Sequence, residues 1–145
     1  MATSTLPAAK SALVGLVAAA LPGVQVEYGD PGLTKLEREA VFFAGTGEDG
    51  QRWAPIGALA KDETYAITGY MHVANKGDNQ QAATERAFVI FGVIESTLRP
   101  LMRDLSVVAD GVYYLAVAPN RLDEWVGDEG YAAFIHFEVE IKARI

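Results

Sequence analysis

The chain has 145 residues, half of them hydrophobic and 21% charged, with a formal net charge of −7, two histidines and no cysteine. That length fits one domain with one core, and the composition is too apolar for a disordered chain. The acid excess and scattered bases argue against a grip on nucleic acid, which needs Lys and Arg clustered along the phosphates. The lack of cysteine removes disulfides, thiolate zinc sites and cysteine nucleophiles together.

Leu6, Ala9, Leu13, Leu16, Val17, Ala20 and Leu21 fall on one side of a helical wheel, and Pro22-Gly23 ends the pattern, so a first helix is expected over 5–21. Its back, Ala8, Ala12, Gly15, Ala18 and Ala19, carries no charge. A solvated helix would show Lys and Glu there, so a neighbouring element or subunit is one reading of that face, and alanine's helix propensity is the other. The same stretch has the length of a signal-peptide apolar region. Its first nine residues lack Lys and Arg, however, and a strand-like "VQVEY" follows at once, so a folded helix is favoured over a cleaved signal. It is too short to span a bilayer.

Short strands are expected at 24–28 and 39–44, separated by a Gly-Asp-Pro-Gly turn. "GTGEDGQ" then reads as a mobile loop. A long strand begins near Glu63, with Tyr65, Ile67, Met71 and Val73 alternating against Thr64, Thr68, Tyr70 and His72, and "NKGDNQ" stops it. The second helix should run from Asn79 to Arg99, capped by Asp78 or Asn79 and broken at Pro100. Ala83, Ala87, Ile90, Phe91, Ile94 and Leu98 form its core stripe, whereas Phe88, Val89 and Val93 point elsewhere. Residues 112–118 make a penultimate strand and "PNRLDEWVGDEG" a connection. The chain closes on "GYAAFIHFEVEIKARI", a half-buried strand in which Tyr131 to Ile145 are apolar at every second position. The expected fold is α+β: a single mostly antiparallel sheet of about five strands with two helices packed on one face.

Chemistry is sparse. His72 and His136 lie at the polar parity of their strands, and a His-carboxylate pair with Glu138 is conceivable if the strands are neighbours. No catalytic constellation, metal set or phosphate loop is read from the sequence, so no enzyme activity and no cofactor are expected. Phe134, on the polar side of the last strand, and Trp53 and Trp125, in charged surroundings, are residue types that protein interfaces favour.

The succession "SALVGLVAAALPGVQVEYGDPG", "EREAVFFAG", "KDETYAITGYMHVANKGDNQQAATERAFVIFGVIESTLR" and the terminal "GYAAFIHFEVEIKARI" resembles the tail terminator proteins of long-tailed bacteriophages, especially those of actinobacterial phages. The resemblance covers nearly the whole chain as a pattern of segments rather than a strict motif. It implies a structural subunit forming a ring, typically a hexamer, on the end of the tail tube, where it stops tube polymerisation and meets the head connector. The implied partners are other copies of the chain, the major tail tube protein and the head connector or neck protein. DNA would pass through the lumen without specific binding, no membrane would be involved, and the location would be the virion neck after assembly in the host cytoplasm.

On this reading the lateral interface would draw on Ala12, Gly15, Ala19, Phe88, Val89, Val93, Phe134 and Arg144. The docking loops would hold Gly45, Thr46, Glu48, Asp49, Gln51 and Trp53, with Lys76 and Asp78 in the second loop. The alternatives are a head-completion or connector neck protein, a dimeric ligand-binding module with a pocket lined by Tyr65, Tyr70, Tyr113, Tyr114 and His136 between sheet and helices, and an exported protein.

Overall fold

The computed structural model describes residues 4–32, 35–46, 52–56, 60–75, 77, 79–127 and 130–145, the side chains of 46, 52–56, 60 and 61 excepted. Helix α1, Leu6–Ala20, has Pro7 in its first turn, where a missing N–H costs nothing. Its inward residues Ala9, Leu13 and Val17 are fully buried. Helix α2, Gln80–Leu98, starts at Asn79, whose side chain accepts from the Ala82 N–H at 2.9 Å. The buried residues of α2 are the six of the expected stripe. Pro100 does end the helix, and the chain continues through two 3₁₀ turns, Arg99–Arg103 and Leu105–Val107.

Among the described residues six strands form one sheet: β1 Gln25–Glu27, β2 Glu39–Thr46, β3 Arg52–Ile56, β4 Ala60–Asn75, β5 Val112–Gly127 and β6 Gly130–Arg144. The main order is β1-β2-β4-β6-β5, and β3 pairs with the start of β4. Only β1 and β2 run parallel; every other described pair is antiparallel. This is the expected α+β architecture, a mostly antiparallel sheet with both helices on one face. Tyr65, Ile67, Met71 and Val73 of β4 and Ile135, Phe137, Val139 and Ile141 of β6 face the helices and close the core.

Three expectations need correction. The sheet gains β3, because Arg52–Ile56 finds a partner in Ala60–Thr64 although Pro55 interrupts its strand pattern. Gly45 and Thr46 belong to β2 rather than to a loop, and Trp53 lies in β3. Residues 119–127, read as a connection, extend β5 to a 16-residue strand paired with β6 as far as Gly127↔Gly130. The register there shifts at Pro119/Arg121, a bulge that lets the strand pass a proline.

At one point the sheet depends on the absence of a side chain. Gly69 of β4 faces Phe137 of β6, and a Cβ on Gly69 would lie 2.2–2.7 Å from three atoms of the Phe137 ring. That ring meets Phe43 at 5.7 Å and Phe91 at 5.5 Å between centroids, so it is held from two sides.

Candidate functional site

The helix-free face of the sheet is where the polar-parity aromatics converge. Cross-strand pairing sets Phe42 beside Tyr70, Tyr70 beside His136, and His72 beside Phe134, while Asp123 and Trp125 of β5 stand opposite Phe134 and Ala132. Phe134 is the hub. Its ring centroid lies 6.1 Å from Phe42, 5.9 Å from Tyr70 and His72, 5.8 Å from Trp125 and 5.2 Å from His136. Phe42 also stacks on Tyr70 at 5.1 Å. Such offset and edge-on pairs stabilise beyond area burial, so one end of this face is an apolar platform made without any covering helix. Phe134 is thus half-buried among other rings rather than presented singly. The other end is polar, with Thr64, Thr68, Glu138, Glu140 and Lys142, whose Nζ lies 4.7 Å from the Tyr114 ring centroid.

The two histidines belong to this platform. His72 is buried and its Nδ1 lies 3.2 Å from the Glu37 carbonyl. Burial pushes its pKa below the ordinary value of 6.5, and the Glu37 carbonyl opposes that shift. The folded protein therefore refuses a proton that the unfolded chain accepts, so stability falls as pH drops through 6.5 toward the lower folded value. We expect urea midpoints to decrease between about pH 7 and about pH 5, and His72→Gln to flatten that slope. Equal slopes for both proteins would rule out His72 as its source.

His136 meets a carboxylate, but it is Asp123 of β5, with Nε2 to Oδ2 at 3.1 Å, and not Glu138. Asp123 is shared with Arg121, whose Nε donates to Oδ1 at 3.0 Å; this bond chiefly holds the Asp123 pKa low, against partial desolvation, with His136 adding to the effect. The imidazole also packs edge-on against Tyr70 at 5.0 Å. This geometry orients the imidazole within an aromatic cluster. Among the described residues no group of three or more metal-ligating side chains comes together, and no helix is long and apolar enough to cross a membrane.

The tyrosine-lined pocket is overturned by the faces its residues occupy. Tyr65 points into the helix-covered core, while Tyr70 and His136 lie on the opposite side of the sheet. An open cleft does exist beside β1 and β2, lined by Gln25, Glu27, Glu37, Arg38, Glu39 and Asn75, but it is polar and contains none of the tyrosines.

The residues expected at an interface separate into groups. Phe88 and Val89 project from α2 and are 46% and 56% exposed, whereas Val93 is partly buried against the core. Gly15 and Ala19 are on the exposed side of α1, and Ala12 is half-covered. Arg144 is engaged within the chain, donating to both Asp62 oxygens at 2.7 and 3.1 Å. Glu48, Asp49, Gln51, Lys76 and Asp78, and the side chains of Thr46 and Trp53, lie outside the described residues.

Sequence reasoning missed Leu122 and Val126, 40% and 67% exposed, because their segment did not read as a strand. Compared with known proteins, the chain matches no protein-family model and no curated sequence.

Proposed function

We propose that the protein is a structural subunit, a tail terminator of a long-tailed bacteriophage, which forms a hexameric ring on the tail tube and offers a surface to the head connector. The segment pattern described above supplies the phage context. The observation that most supports an assembly role is that apolar side chains stay uncovered after the core is closed. Both helices bury their inner stripes completely, yet α2 still presents Phe88 and Val89, and α1 presents a charge-free outer face. Large exposed residues of this kind, when grouped, mark interaction surfaces. The net charge of −7 suits a lumen through which DNA slides without adhering.

The test is the mass of the tag-free protein by light scattering over a concentration series, with and without purified tail tubes, and negative-stain images of any large species. A closed ring, alone or on tube ends, is expected, and Val89→Asp should abolish it. A compact dimer at every concentration that leaves tube ends bare would sink the proposal, as would a monomer that fails to cap tubes.

A further inference from the structure

The described sheet ends at β5, which has β6 on one side and no strand on the other. A long free edge invites pairing with another chain unless charge, proline or a bulge blocks it. The first half of β5 carries such blocks in Pro119 and the two register shifts. From Arg121 onward the edge is regular and shows Leu122 on the helix side and Trp125, 44% exposed, on the other.

We propose that this edge pairs with the same edge of a second copy, antiparallel, about a twofold axis at Leu122. The argument is charge complementarity in one register. Centring the pair on Leu122 places Arg121 opposite Asp123 of the mate, twice, with Leu122 facing its own copy, and the register shift at Pro119/Arg121 ends the regular ladder on either side. Shifting the centre to Asp123 or Glu124 sets like acids face to face, which is unfavourable across a strand pair. Asp123 is already held as a carboxylate by its own Arg121, whose side chain is 66% exposed and has N–H groups left for the mate. The acids that would normally guard the edge therefore favour this alignment over those centred on Asp123 or Glu124 instead of forbidding all of them. The contact is isologous, whereas a head-to-tail ring joins two different surfaces, so neither contact requires the other.

The absence of cysteine makes a direct test simple. Leu122→Cys places two thiols at the axis, with Cβ atoms about 5 Å apart, close to disulfide reach. Oxidation should convert it to a covalent dimer, while Val107→Cys, on the second 3₁₀ turn and more exposed than Leu122, should stay monomeric. Adding Arg121→Asp should cut the cross-linking rate about tenfold, and the swapped pair Arg121→Asp with Asp123→Arg should restore it. Cross-linking of Leu122→Cys no faster than the Val107→Cys control, or no response to charge reversal, overturns the pairing. A ring that forms without Leu122→Cys cross-links sinks this inference and leaves the ring reading; charge-dependent cross-linking without any ring does the reverse.

Discussion

Gly69→Ala should destabilise the protein by about 1–3 kcal/mol, Phe137→Ala by about 3–5 kcal/mol, and the double variant by no more than Phe137→Ala alone. The added methyl would meet the Phe137 ring at 2.2–2.7 Å, well inside any real carbon contact. Neither partner can yield cheaply. Gly69 sits in β4, flanked by β2 and β6, so its backbone is fixed from both sides. Phe137 is fully buried and packed against Phe43 and Phe91. Removing the ring also removes the obstacle, and this is why the two costs should not add. Urea titration of the four proteins measures the cycle. A neutral Gly69→Ala, or strictly additive costs, would mean that the ring is free to move and that the strand tolerates the methyl.

The legibility of this fold follows the strength of its packing. The core stripe of helix α2 was readable to the residue because one sheet covers one face, and Asn79, one of the two expected caps, marks the start. Strands β4 and β6 were readable because one face of each is buried, which forces alternation. The second half of β5 gave no such signal. An edge strand exposed on both faces needs no apolar period, and Pro119 and Asn120 imitate a turn. What holds it is the strongly patterned β6 beside it.

The candidate site was legible only in fragments. Phe134, Tyr70 and the histidines stood out as rings at polar parity, but Phe42 reaches the platform from a strand far away in sequence and Trp125 from a segment that did not read as a strand. Only the register joins them. The uncovered Phe88 and Val89 were expected because six other residues already filled the core stripe of α2. Arg144 could not be placed, since its partner Asp62 is 82 positions away.

A single parity violation carries the second large prediction. Glu63 precedes Tyr65 and Ile67 on the core-facing side of β4, where an acid is out of pattern, and it is fully buried. A carboxylate is tolerated there only if donors surround it. The start of α1 supplies them: the Thr5 N–H donates to Oε1 at 2.7 Å, the Ser4 hydroxyl to Oε2 at 3.0 Å, and the Thr5 hydroxyl to Oε1. With its hydroxyl taken, Thr5 makes no side-chain cap of its own helix, and the positive end of α1 faces the acid instead. Tyr65 lies 2.8 Å from the Thr5 oxygen, and burial, reinforced by the Glu63 charge and opposed by the Thr5 bond, pushes its hydroxyl up to about 12.

Glu63→Ala takes the acceptor from the buried Thr5 amide and one partner each from the Thr5 and Ser4 hydroxyls, so a loss of roughly 3 kcal/mol is expected. Glu63→Gln keeps an acceptor for Thr5 and can donate to Ser4, which should place it between the wild type and alanine. The site anchors α1, whose Ala9, Leu13 and Val17 complete the core, so hydrogen exchange in α1 should accelerate more than in α2. If both helices lost protection equally, Glu63 would be a general stability residue rather than the anchor of α1; an unchanged urea midpoint in Glu63→Ala would show that the carboxylate repays no more than its own burial.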